Sequence, residues 1–187
     1  VFLYYLEPER DLRKFRPVHV KPSVAQAAMI GNPVSMPRVV HLAEKYRALA
    51  GEAGFQVVEV SEQDIMDAML LANRNGHISC TQGGECLAGL RRAVQEGRID
   101  SGRVAVLDAT AHALKFASFQ EMYFSNSFEP AYGIIPKAEL QNQPCLIDLP
   151  HGMPAPSQGV QLHPEEFQRF LEFSGKMIAS LLGLKPR

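Results

Sequence analysis

The run Val104-Ala105-Val106-Leu107 leads within three residues into Thr110-Ala111-His112-Ala113-Leu114-Lys115-Phe116. A short, β-branched apolar run of this kind reads as a buried strand, and the residues behind it as the opening of a helix. The junction then presents a hydroxyl and an imidazole at the carboxyl end of a strand, which is where open α/β sheets hold their ligands. Upstream residues repeat the alternation. Residues 55–60 read as a strand. Ser61-Glu62-Gln63-Asp64 reads as a capping-box start to a helix with Ile65, Met66, Met69 and Leu70 on its inner side. Residues 78–80 form a short apolar strand, Gly83-Gly84 a sharp turn, and residues 85–96 a helix. The fold class expected is therefore α/β, a parallel sheet flanked by helices.

The flanks are less regular. Residues 1–5 suit a strand, and the charged, proline-bearing stretch 7–22 a surface loop. Residues 24–30 read as a short helix stopped by Gly31-Asn32-Pro33, and a second helix starts at Pro37 and ends near Gly51. From residue 124 to 159 the composition turns to Pro, Asn, Ser and Gly, an extended tail with one strand-like run at 145–149. His163-Pro164-Glu165-Glu166 opens a final amphipathic helix reaching Leu182, whose apolar face needs a partner. Three regions follow: 1–22, strand and loop; 23–120, the α/β segment; 121–187, tail and helix.

Charge narrows the function. The 187 residues carry 19 Lys+Arg against 20 Asp+Glu, a net charge of −1 with His neutral. With no long basic block, nucleic acid is not an expected partner, and no apolar run is long enough to span a bilayer. Cys80, Cys86 and Cys145 make an odd set without metal-ligand spacing, which fits a reduced, cytoplasmic chain. The start at Val1 fits a piece of something longer.

Each candidate residue has a plain structural reading. Thr110 caps the helix behind it, His112 packs, Lys115 completes a helix surface, and Asn32 is a turn residue before Pro33. Gly83-Gly84 either turns the chain or opens a helix N-terminus toward a phosphate, and the turn is the simpler reading.

Several collinear segments point further. Ser23-Val24-Ala25-Gln26-Ala27-Ala28-Met29-Ile30-Gly31-Asn32-Pro33 with Met36-Pro37-Arg38 resembles the "A-x-x-I-G-N-P" segment of threonine synthases. Gly76-His77-Ile78-Ser79-Cys80-Thr81 and the helix after it are similar to that family's "G-x-x-x-E-P" region. The Thr110–Phe116 stretch resembles the segment that holds the cofactor ring nitrogen. The resemblance covers about residues 20 to 120 in order.

That resemblance implies an enzyme dependent on pyridoxal 5'-phosphate (PLP), with the tryptophan-synthase-like (fold type II) architecture. The chain would form mostly the large domain. The activity implied is carbon–oxygen lyase chemistry in threonine biosynthesis, from O-phospho-L-homoserine and water to L-threonine and phosphate. By position, Thr110 matches the residue on the pyridine nitrogen, Cys80 a residue beside the cofactor, and Asn32 a ligand of the substrate phosphate. No catalytic residue falls in this segment. The Schiff-base lysine and the cofactor-phosphate loop are expected upstream, in an N-terminal half, and Lys115 matches a structural lysine. Alone the segment is expected to be inactive, and a homodimer is a further expectation. Cys80-Thr81 stands where the family has Glu-Pro, which opens the choice of substrate. The alternatives are a threonine dehydratase or related amino-acid synthase of the same fold, a non-catalytic module with that fold, and a Cys80/His112 thiol hydrolase.

Overall fold

The computed structural model describes residues 2–100, 102–142, 146–153, 159 and 161–184. The chain divides into two compact units, Val1–Asn142 and Gln143–Arg187.

The first unit is organised by two helices, α3 (Glu62–Arg74) and α4 (Thr81–Gln95), which pack on each other over most of their lengths. The capping box forms as expected: the Ser61 hydroxyl accepts from the Asp64 N–H at 3.1 Å, and the Asp64 carboxylate accepts from the Ser61 N–H. α4 begins four residues earlier than the sequence implies, so Gly83 and Gly84 lie inside its first turn and make no turn of their own. The reason is packing. A Cβ on Gly84 would sit 2.5 Å from the Ile65 carbonyl oxygen and 2.7 Å from Met69 Cβ, so only glycine lets the two helices approach.

The core contains Val24, Ala25, Ile65, Met66, Met69, Leu70, Phe119, Tyr123 and Ile134. Phe119 and Tyr123 come from α5 (Ala117–Ser125), entered through a 3-10 turn at Ala113–Phe116. Ile134 comes from the proline-rich stretch after it. Upstream, α1 (Phe2–Tyr5) is a single helical turn where a strand was expected, with Val1 outside the described residues. The Arg47 guanidinium of α2 (Met36–Ala50) lies 4.8 Å from the Tyr5 ring centre and so ties α1 to that helix. α2 ends at Gly51, whose φ of +72° suits glycine. Residues 24–30 form only a 3-10 turn, Gln26–Ala28, because the Ser23 hydroxyl accepts from the Ala25 N–H and starts a tight local turn.

The expected parallel sheet does not form among the described residues, where the one β-bridge is antiparallel, between Ser79 and His112. Residues 55–60 and 104–108 form no strand and join no ladder. Val104 and Val106 are 96% and 95% exposed, so this run is on the outside and not a buried strand. The Arg98 guanidinium donates to the Val57 carbonyl, which fixes the first run through a side chain in place of a neighbouring strand. A strand is stabilised only by the chain beside it.

The second unit contains α6 (Pro164–Leu181), close to its expected limits, with Pro164 at its first position and the Glu166 carboxylate accepting from the His163 N–H. Phe167, Leu171, Ile178 and Leu181 are exposed. In the strand-like run at 145–149, Cys145 lies outside the described residues, and 146–149 form no strand. No helix among the described residues is long and apolar enough to cross a membrane.

Candidate functional site around Cys80 and Thr110

The structure brings two of the three sequence-derived site residues together. Cys80 is the N-cap of α4 and fully buried. Its backbone N–H donates to the Ala111 carbonyl at 3.0 Å, and the Ala113 N–H donates to the Ile78 carbonyl. These bonds lay residues 110–113 across the start of α4. Cys80 Sγ is then 3.8 Å from Thr110 Oγ1, the buried thiol beneath an exposed hydroxyl. Residues 30 apart in the chain meet because the α3–α4 pair fixes one side and the short bridge fixes the other.

Electrostatics mark the same spot. Burial pushes the Cys80 thiol up, but the backbone N–H groups of Gly83 and Gln82 and the Thr110 hydroxyl outweigh it and hold the thiol below its usual range. Cys86, one and a half turns on, behaves oppositely. Its half-buried thiol is raised by desolvation and by the carboxylates of Glu85 and Asp108. Next to Cys80, the buried Ser79 hydroxyl has no hydrogen-bond partner among the described residues, while its N–H is held by Asn73 Oδ1 at 3.0 Å. An orphaned buried donor and an exposed hydroxyl therefore flank the start of one helix.

Asn32 lies apart. It is exposed, and no hydrogen bond joins it to Cys80 or Thr110 among the described residues. The link is indirect: the buried Gln82 side chain, with its amide oxygen toward residues 26–27, accepts from the Ala27 N–H at 3.0 Å. The loop carrying Asn32 is thereby tied to the first turn of α4. Gly31 sits directly against the Val18 carbonyl, which a Cβ would overlap, and its own carbonyl accepts from the Val18 N–H at 2.9 Å.

His112 is not available to Cys80 as a base through Nδ1, because that atom accepts from the Leu114 N–H at 3.2 Å and caps the 3-10 turn. No hydrogen bond joins His112 to Cys80 among the described residues, so the thiol-hydrolase alternative gains no support from this geometry. Lys115 is exposed on the same turn. No group of three or more His, Cys, Asp or Glu among the described residues is placed to hold a metal ion.

A second polar cluster was not anticipated. Buried Asp67 accepts from the Tyr123 hydroxyl at 2.7 Å and from Gln63, and pairs with Lys137 at 2.5 Å. The Tyr123 oxygen accepts from the Lys137 N–H, and the Gln63 carbonyl oxygen from the Ile135 N–H. Desolvation, together with the Asp67 carboxylate, pushes Tyr123 up to about 12 against the opposing pull of the Lys137 N–H. The cluster fastens residues 134–141 onto α3 and α5. A charged residue inside the apolar run Ile65-Met66-Asp67-Ala68-Met69 was the available signal, since such a residue is buried only with partners.

No protein-family model matches the chain. Over 129 residues, 69% of its length, the chain is 31% identical to Threonine synthase 2, chloroplastic, from Arabidopsis thaliana, and the match spans 23% of that protein. Over those residues the chain is related, partially and distantly, to a threonine synthase.

Proposed function

We propose that this chain supplies one wall of a PLP site in a threonine synthase-like lyase, and that the complete protein converts O-phospho-L-homoserine and water to L-threonine and phosphate. The observation that carries the reading is the Cys80–Thr110 juxtaposition at the start of α4. The residues fit the ring edge of the cofactor. Thr110 offers a neutral hydroxyl on the surface, the donor type that bonds a ring nitrogen without holding a proton on it as a carboxylate would. The orphaned Ser79 hydroxyl lies beneath the same turn. When bound, PLP supplies the electron sink for carbanion chemistry on the amino acid.

The chain's own residues have positioning roles in this reading. Thr110 bonds the ring nitrogen, Cys80 supports the Thr110 hydroxyl from below, and Asn32 on its glycine-tethered loop takes the substrate phosphate. The imine-forming lysine and the cofactor-phosphate loop are assigned to sequence upstream. The runs 55–60 and 104–108 are assigned to a parallel sheet completed by that upstream half, which accounts for the exposure of Val104 and Val106 here.

The test is Thr110→Val in the complete protein, with cofactor absorbance and threonine formation measured together. Losing one hydrogen bond to the ring should lower turnover about tenfold or more and shift the absorbance band. Unchanged turnover and spectrum would remove Thr110 from the site.

A further inference from the structure

α1, the end of α2 and the residues just after it line a cavity of about 550 Å³, within the size range of small-molecule sites. Tyr5, Leu6, Arg47, Glu52, Phe55 and Arg98 are among its lining residues. Arg47 is the anomaly there. Its side chain is only 16% exposed, and its guanidinium lies 4.8 Å from the Tyr5 ring centre and 5.9 Å from that of Phe55. The two rings, 5.2 Å apart, fix the cation in place.

The edge of that guanidinium is unsatisfied. Its Nε is buried and makes no hydrogen bond among the described residues, although a buried cation ordinarily has partners. The Glu52 carboxylate comes within 3.5 Å of Nε, an ion pair without a hydrogen bond, and the Glu52 side chain is 87% exposed. Tyr5 is a second unsatisfied donor. Its hydroxyl is buried without a partner among the described residues, and burial, then the Glu44 carboxylate, push its pKa up and keep the proton on. Arg98 is already engaged: it donates to the Val57 carbonyl and pairs with Glu96 at 2.6 Å.

We propose that this cavity binds a small organic carboxylate with an apolar body, the carboxylate displacing Glu52 from the Arg47 guanidinium and the body lying against Leu6 and Phe55. A guanidinium offers a carboxylate two parallel charge-assisted hydrogen bonds, where Glu52 makes none to Nε. Neither Cys80 nor Thr110 lines the cavity, so the proposal stands or falls separately from the function above.

The probes are phenylacetate and acetate, titrated calorimetrically into the 187-residue chain. Phenylacetate should bind saturably and about tenfold tighter than acetate, the increment expected for burying part of one ring. Arg47→Gln should weaken both about tenfold or more. Glu52→Gln should tighten both about threefold, because the competing carboxylate is gone and an exposed ion pair is worth about that factor. Thermal unfolding of Glu52→Gln should match the parent, since that side chain is exposed, and this variant decides the matter if Arg47→Gln does not fold. No saturable binding, undiminished binding in a folded Arg47→Gln chain, or unchanged or weaker binding in Glu52→Gln overturns the site. Equal affinity for the two probes overturns its apolar half.

Discussion

The α3–α4 pair and the run at 104–108 both carry apolar side chains but have different fates. α3 places six consecutive residues, from Ile65 to Leu70, out of solvent, while Val104 and Val106 of the run are almost fully exposed. A helix closes its own backbone hydrogen bonds and needs only a packing surface, which each of the two supplies for the other. A strand needs its neighbours' backbone first. The site is built on the first kind of element: Cys80 caps α4, and Thr110 is placed beside that cap by the two backbone bonds that make the Ser79–His112 bridge.

The strongest way to break the comparison is at the helix crossing. Gly84→Ala places a methyl group against the Ile65 backbone and Met69, where backbone cannot yield. Urea unfolding should show a loss of about 3 kcal/mol. An unchanged midpoint would mean the helices do not cross this closely.

A smaller effect is expected from the Asp67 cluster. Tyr123→Phe removes the hydroxyl that serves Asp67 and the Lys137 N–H, at a cost of about 1–2 kcal/mol. The pH dependence has a definite sign. The folded-state pKa, about 12, is raised above the ordinary value of 10. The phenol therefore contributes stability that is fully present below about pH 10 and lost as pH rises toward about 12. Parent and Tyr123→Phe stability curves should converge over that interval, and parallel curves would exclude the coupling.

The smallest effect is predicted for the exposed run. Val104→Thr and Val106→Thr should each change the stability of the 187-residue chain by less than about 0.5 kcal/mol. A larger loss in the chain by itself would show that the run is already buried. In the complete protein the same changes should destabilise by more, because the proposed sheet would cover these side chains.

What was legible in the sequence follows the same division. The Ser61–Asp64 capping box, the Pro37 start and Gly51 stop of α2, and the limits of α6 are local devices, readable because their partners lie within a few residues. Gly83-Gly84 was misread because a glycine that admits another helix looks the same in sequence as a glycine that turns the chain. Asp67 and Tyr123 are 56 residues apart, and no local pattern joins them. The strand readings at 55–60 and 104–107 have no counterpart among the described residues, because pairing depends on chain that a local pattern does not contain. Of the site residues, Cys80 and Thr110 were named from motif resemblance, and their contact emerges only from the packing of α4.

That contact can be tested directly. In the variant Thr110→Cys with Cys86→Ala and Cys145→Ala, two thiols should face each other, since Sγ and Oγ1 are 3.8 Å apart in the parent. Mild oxidation with glutathione disulfide should join them, the two thiol hydrogens passing to glutathione, and the intact mass should fall by two hydrogens with no free thiol left to alkylate. Rapid closure supports the geometry on which the proposed cofactor wall depends. Two thiols that stay free after oxidation, counted by alkylation once the chain is unfolded, would place Thr110 away from the start of α4 and contradict it.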